Sequence, residues 1–176
     1  FFQDQDYIND KRISLFVADI RNSDDLIKHL VGVDIVFHCA ALKHVVLCER
    51  SPDQALSTNI TGVQNIIAMS QQAGVQKVIF TSSDKAVNPT NVMGTTKLLG
   101  ENLITAANSN KLPAKTIFAS TRFGNVLGSN GSVRTIFQNQ ISLGGPVTLT
   151  DKNMTRFVTS IEESVRLIMQ SATLAK

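Results

Sequence analysis

Between Lys77 and Glu101 the sequence reads KVIFTSSDKAVNPTNVMGTTKLLGE, a stretch that concentrates proton-transfer groups. Three hydroxyls, Thr81, Ser82 and Ser83, run directly into a carboxylate and an ammonium group, Asp84 and Lys85. A second ammonium, Lys97, follows the turn Asn88-Pro89-Thr90-Asn91. An adjacent acid and amine suit general acid–base chemistry, because burial and a neighbouring charge can shift each pKa toward neutrality. The apolar run Val78-Ile79-Phe80 reads as a buried strand, and ligands of open α/β sheets bind beyond the carboxyl ends of the strands. The alternative is a solvated Asp–Lys pair on a surface turn.

Met93 and Lys97 are four residues apart, hence stacked on one helix face. A tyrosine at position 93 would make Y-x-x-x-K, in which the lysine lowers the phenol's pKa and lets it take a hydroxyl proton. Methionine does neither. Ser82 and Ser83 lack a G-x-S-x-G context, which argues against an α/β-hydrolase. Gly124 to Gly131 is spaced G-x-x-x-G-x-x-G, unlike a dinucleotide fingerprint. Its glycines serve either tight turning or a loop closing over a ligand, and in the second case Asn125 and Ser132 are ligand contacts. Lys43 is either a solvated lysine or one that reaches a ribose or phosphate. His38, Cys39, His44 and Cys48 match no standard zinc spacing, so a packed histidine and buried thiols are expected, with no metal.

The elements that must position these groups alternate between strand and helix. Strands are expected at Ile13–Ala18, Val33–His38, Lys77–Phe80, Thr116–Thr121 and Val147–Thr150. Small residues at Ala40 and Ala41 let the backbone approach a flat ligand. Helices are expected from Asn22 to Leu30, from a Ser51-Pro52-Asp53-Gln54 capping box to Ala73, from Asn91 to Ser109, from Val133 to Leu143, and from a Ser160–Glu163 capping box to Leu174. The apolar strands argue for a doubly wound parallel sheet covered on both faces, a Rossmann-like α/β fold. Nothing before Ile13 supplies the strand, glycine turn and helix that open a nucleotide-binding fold, so the sheet is expected to be incomplete at its front and the chain to be an internal piece of a longer protein. The organisation expected is a Rossmann-like domain over 1–143 and the start of a substrate-binding region over 144–176.

The 176 residues suffice for one domain with a core. The net charge of +3 comes from scattered lysines and arginines, which does not support a nucleic-acid stripe and is compatible with an anionic small substrate. No apolar stretch approaches the ~20 residues that span a bilayer, and the N-terminus is not a signal peptide. Two cysteines make no disulfide framework, so a reducing cytoplasmic setting is the default.

The segments HCAALKHV (38–45), TNITGVQNII (58–67), TSSDKAVNPTNVMGTTK (81–97), RFGNVLGSNGSV (122–133) and GGPVTLTDKNMTRF (144–157) resemble the extended short-chain dehydrogenase/reductases. More narrowly they resemble the UDP-N-acetylglucosamine 4,6-dehydratases, the CapD-like group of bacterial polysaccharide and glycan biosynthesis. The resemblance covers nearly the whole chain from Asp19 onward. It implies NADP (or NAD) as cofactor, with Asp19 and Ile20 at the adenine and Ala40, Ala41 and Lys43 along the cofactor's middle. It further implies Asn59 bracing the sheet end, with Thr81 beside the cofactor and Lys97 holding the nicotinamide ribose. It also implies Ser83 near the sugar C4 oxygen, with Lys85 expected to remove the C5 proton and Asp84 to protonate the departing C6 hydroxyl. Lys85, Asn125, Ser132 and Arg156 would meet a UDP-N-acetylhexosamine. Met93 departs from the Y-x-x-x-K pattern. The resemblance also implies a homo-oligomer, a possible membrane anchor elsewhere in the full protein, and 4-epimerisation or non-catalytic NADP binding as the competing functions. With no pyrophosphate-binding turn, this stretch alone is expected to be inactive.

Overall fold

The computed structural model of the chain describes residues 10–109, 116–128 and 133–176. Along them run helix α1 (Ser23–Leu30), strand β1 (Ile35–His38), and the short helices α2 (Val45–Arg50) and α3 (Pro52–Leu56). A π-helical turn (Ser57–Thr61) then leads into α4 (Gly62–Ala73), β2 (Lys77–Ser83) and α5 (Val92–Ser109). The chain continues through β3 (Ile117–Phe123), β4 (Asn125–Val126), α6 (Val133–Ser142), β5 (Val158–Thr159) and α7 (Ile161–Leu174).

The three main strands form a parallel sheet in the order β1-β2-β3. Side chains alternate between its faces. Val78, Phe80 and Phe118 point to one face and build the main core with Leu26, Val63, Ile66 and Ile104 from α1, α4 and α5. Lys77 and Thr121 point to the other, where Lys77 Nζ donates to the Ala172 and Ala175 carbonyls and Thr121 Oγ1 to Ser171 Oγ. Because α7 covers this second face, β2 is buried without a break from Val78 to Ser82. A strand shielded on both sides cannot alternate apolar and polar residues, which is why this one reads as a continuous apolar run. The expected doubly wound, Rossmann-like parallel fold is present. The last helix, assigned from sequence to the region beginning at Gly144, lies against β2 and β3.

Helix boundaries follow local chemistry. Asn22 Oδ1 accepts from the Asp24 and Asp25 amides, and Ser160 and Glu163 form a reciprocal capping box. Gly74 closes α4 at φ 74°. Five expectations require correction. Ile13–Ala18 forms no ladder with any described residue, and Leu15, Phe16 and Val17 are exposed. An apolar run becomes a strand only beside a hydrogen-bonding neighbour. Val147–Thr150 is likewise no strand, because the Thr148 amide donates to the Gln140 side chain rather than to a ladder. Ser51 makes no side-chain cap, and Gln54 Nε2 donates to Asp53 instead. The helix predicted from Ser51 to Ala73 is interrupted by the π-helical turn, and α2 precedes it unannounced. Finally, the glycine loop after β3 begins as a strand, Asn125–Val126 pairing in parallel with Val158–Thr159.

Candidate active site

At its carboxyl end β2 passes directly into a single 3-10 turn, Asp84–Ala86, that presents Lys85. Ser83 Oγ accepts from the Lys85 amide and donates to Asp84 Oδ1, 2.9 Å away. Lys85 Nζ donates to the same carboxylate oxygen at 3.0 Å and to Asn125 Oδ1 at 2.8 Å. The turn sits against α5 at Gly94, where a Cβ would collide with the Lys85 carbonyl oxygen. Glycine is therefore what allows the helix and the turn to touch. Gly124 has the same role on the other side, since a Cβ there would strike the Phe157 carbonyl that pairs with β4.

Helix α5 starts where Asn91 Oδ1 accepts the Gly94 amide and Glu49 of α2 accepts the Val92 amide. One turn on, Met93 and Lys97 face the same space, as their spacing predicts. Lys97 is only 7 % exposed. Its Nζ donates to the Thr81 carbonyl at 2.9 Å and lies 4.7 Å from the centre of the Phe80 ring, a cation–π contact. Burial pushes the amine down to about 8, against the opposing pull of Cys39 and Glu101. His38, stacked near Phe80, is pushed down to about 4 by burial and by the Lys97 charge, so its ring is neutral at ordinary pH.

These groups wall a cavity of about 440 Å³ at the carboxyl ends of β2 and β3. Thr81, Ser83, Lys85 and Lys97 open on it, with Asn125 and Arg156 across from the loops. Ala41, Lys43, Cys39 and His44 contribute the segment after β1. Asp84 is absent from the wall and reaches the cavity through its bonds to Lys85 and Ser83. A second cavity of about 560 Å³ is lined by Asp19, Ile20, Ala40 and Ala41. Ala41 borders both. Ser132 lies outside the described residues.

Several expectations shift in this geometry. Asn59 lines neither cavity. It is 2 % exposed, accepts the Leu42 amide and donates to the Leu42 carbonyl and to Thr96 Oγ1, so it holds the segment after β1 rather than touching a ligand. The π-helical turn places its amide there, and such turns often mark functional sites. Cys39 is exposed at the cavity rather than buried, whereas Cys48 is buried with its thiol directed at the Leu42 carbonyl. Both cysteines are free. Asp84 is not drawn toward neutrality. Burial works to raise it, but hydrogen bonds from Lys85 and Ser83 outweigh that and hold the carboxyl below its ordinary value. Among the described residues no group of three or more His, Cys, Asp or Glu is placed to hold a metal ion. Two residues that sequence reasoning passed over stand behind the cavity: Glu101, one turn beyond Lys97, and Arg122 of β3, which clamps Glu101 through two donors. The i,i+4 spacing of Lys97 and Glu101 was the available signal.

A parallel sheet covered on both faces, with adjoining cavities beyond its strand ends, is the architecture of Rossmann-like nucleotide-binding proteins. The chain belongs to the polysaccharide biosynthesis protein family, whose model matches residues 3–176. It is similar to an uncharacterized membrane protein of Methanocaldococcus jannaschii (49 % identical, 99 % of this chain and 53 % of that protein). It is also similar to the capsular polysaccharide biosynthesis protein CapD of Staphylococcus aureus (43 %, 91 % and 27 %) and to a UDP-glucose 4-epimerase of Rickettsia conorii (41 %, 92 % and 48 %). The chain thus spans about half, or less, of these relatives. Among solved structures, Pen from Bacillus thuringiensis is 43 % identical with TM-score 0.93, covering 97 % of this chain and 54 % of that one. MoeE5 in complex with UDP-glucose and NAD is 26 % identical with TM-score 0.79, covering 90 % and 58 %. Among the described residues no helix is long and apolar enough to cross a membrane.

Proposed function

We propose that the full protein containing this chain is a nucleotide-sugar 4,6-dehydratase acting on a UDP-N-acetylhexosamine with a nicotinamide dinucleotide. The observation that carries the reading is the Ser83–Asp84–Lys85 cluster, in which an amine bonded to a carboxylate opens on the same cavity as the buried amine of Lys97.

The residues present suit a dinucleotide. Two cavities that meet at Ala41 offer an elongated site, with small side chains where a flat ligand must approach the backbone. Asp19 and Ile20 stand at one end and Lys97 at the other. When bound, the cofactor supplies the hydride acceptor and donor of the reaction. The chain's own residues manage protons. Once C4 of the sugar is a carbonyl, its C5 proton is acidic. The Lys85–Asp84 pair holds one shared proton across a direct hydrogen bond. In the form with a neutral amine and a protonated carboxyl, Lys85 takes the C5 proton while Asp84, set back from the wall, gives its own through the Ser83 hydroxyl to the departing C6 hydroxyl. The pair ends as ammonium and carboxylate and water leaves, so the protons balance. The lowered Asp84 pKa makes that ionic form the resting one. Ser83 Oγ orients the carboxylate and faces the sugar's C4 oxygen in this reading. Asn125 fixes the amine until substrate engages it.

The second reading is 4-epimerisation, favoured by the similarity to the Rickettsia conorii epimerase and needing no C5 base. Turnover of UDP-N-acetylglucosamine by the full-length protein in deuterated water separates the two. Loss of one water with solvent deuterium at C5 is expected. A product of unchanged mass without C5 deuterium would reject dehydration.

A further inference from the structure

The wall behind Lys97 is built with more charge than packing requires. Glu101 follows Lys97 by four residues on α5, which stacks the two on one helix face. Glu101 is 8 % exposed yet its carboxylate stays ionised: burial works to raise it, and hydrogen bonds from Arg122 and then Ser82 outweigh that. Arg122 grips it from β3 with Nε at 2.7 Å and with Nη2, while its own side chain remains half-exposed. A carboxylate clamped in this way cannot rotate away from the lysine or be neutralised cheaply. Of the groups facing Lys97 from other elements, one acts in the same sense. His38 of β1 carries a neutral ring and Thr81 of β2 offers only its carbonyl, while Cys39, at the cavity surface, pulls on the amine in the same direction as Glu101 but is neither buried nor clamped. Around the cavity itself, Lys43, His44, Lys85 and Arg156 are basic.

We infer that Glu101, pinned by Arg122, is a positioning residue that acts on the cavity through Lys97, keeping that amine protonated and aimed at the Thr81 carbonyl. Arg122 in turn sets how much of the carboxylate's field reaches the lysine. The strand residue therefore tunes a group it does not touch. The inference deepens the reading of Lys97 as a cofactor-holding amine and rests on it for its consequence in turnover, whereas the charge coupling itself needs no turnover.

The test is a pH titration of the Lys97 ε-methylene NMR signal in full-length protein labelled with 13C-lysine, the signal being assigned by its loss in Lys97→Arg. Glu101→Gln keeps the shape and an acceptor for Arg122 but removes the charge, and it should lower the Lys97 midpoint by about one pH unit. Arg122→Met should move it the other way, because the carboxylate is then uncompensated. Midpoints unchanged in both variants would overturn the inference and leave the pair a structural clamp. If Glu101→Gln does not fold, Arg122→Met decides alone: an upward shift supports the coupling and no shift rejects it. In an active enzyme the pH–rate profile should move in the same sense as the NMR midpoint. Shifted midpoints in a protein that turns over no nucleotide sugar would sink the dehydratase reading and leave the coupling intact.

Discussion

Lys97 and Lys85 face one cavity but are held by opposite means. Lys97 is buried on a helix, supported by one backbone carbonyl and the face of Phe80, with its counter-charge a turn away and already shared with Arg122. Lys85 sits on a single turn at the strand end, about a third exposed, bonded directly to a carboxylate and to an amide from the opposite loop. Desolvation therefore dominates the first amine and direct pairing the second. A lysine meant to stay put beside a ligand gains from a rigid, dry seat. One meant to move a proton needs a partner within hydrogen-bond reach and a route to the substrate. The difference in surroundings, rather than in residue type, separates the two roles.

Replacing each amine should break the comparison in a different way. Lys85→Ala in the full-length protein is expected to abolish C5 deuterium exchange, a loss on the order of 10²- to 10⁴-fold, as for removal of a general acid or base. Undiminished exchange would remove Lys85 from the chemistry. Gly94→Val pushes α5 off the Lys85 carbonyl and should displace both amines together. Turnover should fall with it, alongside a stability loss of about 1–3 kcal/mol by denaturant titration, the usual cost of overpacking. Wild-type stability at neutral pH would show that the turn yields without consequence.

A smaller effect is confined to Lys97. Its folded-state value of about 8 lies below the ordinary lysine value of 10.5. Between those values the unfolded chain binds the extra proton, so stability should rise with pH across that window and by at most about 3 kcal/mol. Below about 8 the cost of burying the charge is present in full. Denaturant titrations near the two ends of that window should show the rise in the wild type and lose it in Lys97→Met. Asn125→Ala should have the smallest effect. It releases Lys85 from one of its two partners and is expected to lower kcat/KM by about tenfold, the low end of the worth of a single hydrogen bond to a charged group. A loss as large as that of Lys85→Ala would mean that Asn125 touches substrate.

Much of this arrangement was legible beforehand because it is local. The strand Lys77–Phe80, the helix behind Asn91, the stacking of Met93 over Lys97 and the capping box at Ser160 follow from apolar runs, four-residue spacing and cap chemistry, all within one element. What could not be read off depended on partners distant in sequence. The Ile13–Ala18 run has strand composition but no described neighbour to pair with. Asn59 was expected to brace the sheet end, but only the π-helical turn shows that it does so by gripping Leu42 and Thr96. Asp84 looked like a carboxyl poised near neutrality until two donors proved to hold it ionised.

The amino-acid sequence by itself determined the order of strands and helices, the apolar faces and the identity of the groups offered at the end of β2, because side-chain chemistry and helical or strand periodicity act over a few residues. Tertiary structure alone decided that Lys85 meets Asn125 forty residues away and that Glu101 of α5 meets Arg122 of β3. The charge states of this cavity follow from those long-range contacts, since a pKa answers to burial and to neighbours in space, and neither is written in the spacing of residues along the chain.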